Sequence, residues 1–168
     1  MRRGLGIGVV LLLLFAGTAM ASDMMTGGGW FIDLYSGNRI TVGFNGQPLD
    51  EYSSEYPGML QAKGQFQLID HGTKDRIHCE FTLTPENGPD PNKPWVSLFI
   101  GPATLNGEGG YIAGVEFHDN VDYAPMGAGD MVAVVLFDAE NFDPNNPVTV
   151  RSYWGFLAGG SASQHEPE

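Results

Sequence analysis

The 168 residues include 24 glycines, 11 prolines and a single cysteine, and carry a formal net charge of −12. Glycine plus proline comes to about 21%, under the roughly 25–30% of low-complexity disorder, and 42% apolar residues are enough for the core of one domain. One cysteine excludes an intramolecular disulfide framework and cysteine-rich metal centres, and the acidity excludes nucleic acid and anionic membrane surfaces as partners, because both repel a negative protein.

Residues 1–21 read as a signal peptide. Arg2 and Arg3 form a positive n-region, an apolar run starts at Val9, and Ala19-Met20-Ala21 supplies the small-x-small pattern for cleavage before Ser22. The run is shorter than the roughly 20 residues a spanning helix needs. The expectation is a bacterial protein that is secreted or periplasmic, with no transmembrane span once the signal is removed. Loss of the two signal arginines takes the net charge from −12 to −14.

Residues 22–29 form a glycine-rich lead-in, and period-two alternation between turn clusters then recurs through 30–160. The first pair of strands is Trp30 to Tyr35 and Arg39 to Asn45, followed by an insertion from Leu49 to Pro57 and a third strand from Leu60 to Asp70. Arg76 to Thr84 alternates most cleanly, with Ile77, Cys79, Phe81 and Leu83 on one face and His78, Glu80, Thr82 and Thr84 on the other. Trp95 to Ile100 (extending toward Leu105), Tyr111 to His118, Met131 to Phe137 and Val148 to Leu157 complete the set. Residues 161–168 read as an acidic flexible tail. Eight strands with short turns and no room for crossover helices predict an all-β fold, a single antiparallel β-barrel or barrel-like roll. Mid-strand glycines such as Gly43, Gly64 and Gly114 suit the bends that closure demands.

Two resemblances follow from short motifs. Thr26-Gly27-Gly28-Gly29-Trp30-Phe31-Ile32, Gly43-Phe44-Asn45, His118-Asp119-Asn120, Gly129-Asp130 and Gly155-Phe156-Leu157-Ala158-Gly159-Gly160 together resemble the post-choice-of-anchor domain of exported bacterial proteins. That resemblance implies an exported all-β domain of surface proteins and carries over no catalytic residues. Gly28-Gly29-Trp30 is also similar to the G-x-W of lipocalin-like barrels, which implies that Arg151 packs over Trp30.

The candidate sites are few. Glu116 and His118 share a predicted strand face and could act as an acid–base or ligand-binding pair. Tyr52 and Tyr56, beside Asp50, Glu51 and Glu55, could stack against sugar rings. Asp119 and Asp122 after one strand, and Asp138, Glu140 and Asp143 after the next, could hold calcium through carboxylate oxygens, although turn chemistry accounts for the same residues. Antiparallel neighbours would put those two acidic groups at opposite rims. Trp154 and Phe156 are placed in the core, Tyr153 on the outer wall, and Cys79 among buried apolar residues. No catalytic motif stands out, and no cofactor other than calcium is implied. The residues therefore predict an exported, non-enzymatic barrel with a binding or cell-surface accessory role, whose partner is a glycan, a small apolar ligand or a protein. Alternative readings are a calycin-like carrier of an apolar ligand and a barrel cyclase or isomerase using Glu116 or His118.

Overall fold

A computed structural model describes residues 24–86, 96–119, 129–141 and 147–165; the signal segment, Trp95, Asp122 and Asp143 lie outside them. The strands are β1 (Met24–Ile32), β2 (Arg39–Tyr52), β3 (Met59–Asp70), β4 (Arg76–Glu80), β5 (Leu83–Pro85), β6 (Val96–Leu105), β7 (Glu108–His118), β8 (Met131–Asp138), β9 (Thr149–Phe156) and β10 (Gly159–His165). They form one antiparallel sheet in the order β10-β1-β2-β3-β4-β6-β7-β8-β9, with β5 bridging β3 and β6. The fold is all-β, as its alternating sequence predicts, and among the described residues no helix is long and apolar enough to cross a membrane.

Short turns set this topology. Asn106 and Gly107, at φ 56° and 86°, link β6 to β7 in a two-residue turn whose handedness matches strand twist. Asp70 organises the β3–β4 turn by accepting hydrogen bonds from the backbone N–H groups of Gly72 (2.7 Å) and Thr73 (3.2 Å). Asp33 does the same for the β1–β2 turn through the N–H (2.8 Å) and hydroxyl (2.7 Å) of Ser36.

Closure is partial and barrel-like. Strands β9 and β10 stand at the two ends of the sheet order yet adjoin in sequence, so the chain turning from one into the other brings the ends together. The N–H of Leu34 donates to the Trp154 carbonyl (3.1 Å), and that of Ala158 donates to the Trp30 carbonyl (2.8 Å). Two buried carboxylates complete the seam. Asp33 accepts the Trp154 N–H (3.0 Å) and Asp130 accepts the Ala162 N–H (2.8 Å).

Four features differ from the sequence reading. The glycine-rich lead-in is already strand, paired with β2 on one side and β10 on the other. Residues 161–165 of the expected tail belong to β10, where Ala162 is buried opposite Gly27. Leu49 to Tyr52 extend β2 past an irregularity rather than forming an insertion, and only Ser53 to Gly58 turn. Finally, Arg76 to Thr84 contains a bulge after Phe81, which leaves Thr82 exposed and moves Leu83 to the outer wall, against Met59, Leu98 and Ile100. Thr84 is consequently buried, and its hydroxyl donates to the Leu98 carbonyl (2.8 Å). One inserted residue inverts every later side chain of a strand, which is why uninterrupted alternation misplaces both.

Candidate functional site

The inside of the barrel is occupied by its own side chains. Phe31, Phe44, Phe66, Phe81, Phe99 and Phe117 are buried there with the aliphatic residues of β2 to β8. Phe44 stacks on Phe117 with ring centroids 4.0 Å apart, and Phe81 stacks on Phe99 at 5.0 Å. Phe66, Phe81 and Phe99 each lie 6.2 Å from Phe117, so one ring forms the hub of the core. An apolar ligand held inside would have to displace these rings. Cys79 is fully buried among them, and burial pushes its thiol up to about 12.

A polar cluster closes one end. Asp75 bonds Arg151 (Nε to Oδ2, 2.6 Å) and accepts from the Asn106 amide (3.0 Å), and these contacts hold its carboxyl below the usual range. Burial alone would raise Asp70, but bonds from the Asn38 side chain, Gly72 and Thr73 outweigh it and leave its pKa lowered. Tyr153 points inward at this end. Burial, reinforced by the negative charges of Asp75 and Asp70, pushes its phenol up to about 12. Opposite Val134 in the ladder, Tyr153 shares the inner face, which turns Trp154 and Phe156 outward. The sequence reading had these three reversed. The arginine over Trp30 is Arg39, 4.7 Å from the ring, whereas Arg151 serves the polar end, so the lipocalin-type pairing is absent.

The predicted site residues do not converge. Glu116 and His118 do pair, Oε1 to Nε2, on the outer wall of β7, where Glu116 is buried and its second oxygen has no partner. Their ladder neighbours are Leu98 and Ala133 for Glu116, and Val96 and Met131 for His118, so they sit on the face of the sheet opposite the phenylalanine core. Tyr52 is exposed, and its hydroxyl bonds the Glu86 carboxylate, which raises its pKa. Tyr56 is half-buried against Met59, Leu98 and Ile100; burial, then Glu55, raises its phenol. The tyrosine thus covers an apolar patch.

The acidic residues separate as antiparallel pairing requires. Tyr111 faces Asp138 and His118 faces Met131, so Asp119 and Asp138 lie roughly 27 Å apart at about 3.4 Å per residue. Asp138 accepts hydrogen bonds from the Glu140 N–H (2.9 Å) and the Asn141 side chain (2.8 Å), and the Asn141 amide is the main reason its pKa is lowered. It shapes its own turn. Asp119 is buried, Glu140 is exposed, and among the described residues no group of three or more His, Cys, Asp or Glu could hold a metal ion.

One feature escaped the sequence reading. Ile32, Leu34, Tyr35 and Phe156 are 45, 52, 76 and 45% exposed, and all four border the seam between β1 and β9. The Tyr35 ring meets Trp154 edge-on, with centroids 6.0 Å apart. The available signal was the alternation of β9, read in the wrong phase. Compared with known proteins, the chain matches no family model, no curated protein and no solved structure.

Proposed function

We propose that the chain is an exported, non-enzymatic module with a binding or cell-surface accessory role, and that it recognises its partner through the outer wall of the barrel. The observation that carries this reading is the apolar strip of Ile32, Leu34, Tyr35 and Phe156 beside the half-buried Trp154. Large exposed apolar side chains grouped in one place mark interaction surfaces, whereas isolated ones do not. The ring-filled interior argues against a calycin-like carrier. A cyclase or isomerase would need Glu116 or His118 inside a chamber, and both stand on the outer wall. Export rests on the Arg2-Arg3, apolar-run and Ala19-Met20-Ala21 signature, and the resemblance to post-choice-of-anchor domains agrees with a surface address.

Co-sedimentation of the purified exported protein with isolated bacterial cell envelopes tests the reading. Binding is expected, and the double substitution Tyr35→Ser with Phe156→Ser should weaken it at least about tenfold, a loss of roughly 1.4 kcal/mol. Its melting temperature should stay within a few degrees, since exposed positions contribute little to stability. Undiminished binding by the double variant would overturn an outer-wall strip.

A further inference from the structure

Gly43 has no backbone reason to be glycine. It stands inside the 14-residue β2, its φ is not positive, and open space lies where a Cβ would be. Elsewhere the fold does demand glycine: a Cβ at Gly29 would collide with the Gly159 carbonyl oxygen, and one at Gly64 with that of Asn45. A mid-strand glycine costs about 0.5–1 kcal/mol relative to alanine, so this one weakens the strand without easing any contact.

What the missing side chain leaves is a depression of about 280 Å³ on the outer face of β2 and β3, lined by Gly43, Phe44, Asn45, Gln65 and Gln67. Gln67 faces Gly43 across the ladder and Gln65 faces Asn45, so three side-chain amides rim a space that no side chain at Gly43 fills. The Gln65 N–H donates to Asn45 Oδ1 (2.9 Å), which fixes that amide and leaves its NH2 to donate elsewhere. Gln65 and Gln67 are exposed, and each offers both a donor and an acceptor. No charged side chain lines the space.

We propose that this depression binds one ring of a neutral saccharide, with the amides of Asn45, Gln65 and Gln67 taking its hydroxyl groups. Closely spaced hydroxyls each donate and accept, as the three amides do. An anionic sugar would meet no cation in the lining and a strongly negative protein around it. The volume lies at the small end of ligand sites, about 300 Å³, which suits one ring rather than a long chain. Peptides are recurrently taken at sheet edges, helix grooves or aromatic-lined grooves, and a depression in mid-sheet rimmed by amides is none of these. The proposal rests on the outer-wall binding reading and specifies a ligand class for a different part of that wall.

The test is an amide-resolved NMR titration of the exported protein with chitotetraose, cellotetraose and maltotetraose in turn, and with tetra-alanine peptide as the competing class. At least one saccharide should shift the side-chain NH2 signals of Asn45, Gln65 and Gln67 and the Gly43 N–H. Gly43→Leu, which fills the space, and Gln67→Ala, an exposed change that spares the fold, should each weaken that binding at least fivefold. Tyr35→Ala should leave it unchanged. Three silent saccharides, shifts confined to the Tyr35 and Trp154 region, a response to tetra-alanine alone, or a Gln67→Ala variant that binds normally would each overturn the proposal. Silence of all three saccharides, with envelope binding still lost in the Tyr35→Ser, Phe156→Ser variant, would sink the saccharide site while leaving the outer-wall reading standing.

Discussion

Asp75 shows how one side chain can hold an end of the barrel closed, since it joins the β3–β4 turn to Arg151 on β9 and Asn106 in the β6–β7 turn. Its pKa is depressed in the folded state, so the contribution is complete above the unfolded carboxyl value of about 3.9 and is lost as pH falls through the lower folded value. Asp75→Asn should cost about 1–3 kcal/mol at neutral pH and flatten the dependence of melting temperature on pH below about 4. An unchanged acid slope would remove Asp75 from the account. Cys79 gives a second prediction at this scale. With its thiol near 12, only about one molecule in ten thousand is thiolate at pH 8, so a thiol reagent should label the native protein slowly and the denatured protein at one equivalent. Rapid native labelling would contradict its burial. The alternation of Ile77, Cys79 and Phe81 made that burial legible in the sequence. The Asp75–Arg151 pair was not legible, because 76 residues separate the partners and nothing local marks them.

At the scale of elements, the strands that were easiest to read carry large alternating side chains. The strand that was missed, β10, has the sequence Gly-Gly-Ser-Ala-Ser-Gln-His, with one buried apolar residue and no hydrophobic period to detect. Its pairing depends on close backbone approach instead: a Cβ at Gly160, where φ is 98°, would strike the Gly28 carbonyl oxygen. Gly160→Ala should therefore destabilise the protein by more than ~1 kcal/mol, where the same change at a permissive glycine would stabilise it, measured by urea unfolding. A neutral effect would mean that β10 does not hold its register against β1. The bulge in the β4–β5 segment was invisible for a related reason. Apolar residues continue in period after Phe81, while the backbone skips one residue, so Leu83 and Thr84 exchange faces. In β9 each phase carries an aromatic residue, with Trp154 and Phe156 on one and Tyr153 on the other, and only pairing with β8 selects Tyr153 as the inward residue.

For the whole molecule, Gly27, Gly29 and Gly160 allow the close approach of β1 and β10, and the interior is filled by phenylalanines grouped around Phe117. Phe117→Ala should cost about 3–5 kcal/mol, because the cavity it leaves is enclosed by the rings of Phe44, Phe66, Phe81 and Phe99. Composition and alternation were enough to indicate an acidic all-β roll, since both are properties of many residues at once. The exposed apolar strip was not legible, because it is assembled from the β1–β2 turn and β9, which meet only when the sheet curls. Native mass spectrometry of protein recovered from an exporting bacterial host distinguishes an exported barrel that binds with its outside from one that binds in its interior. The expected mass is that of the chain from Ser22 to Glu168, with no apolar molecule retained. A mass that still includes Met1 to Ala21, or a small apolar ligand that stays bound in the gas phase, would contradict it.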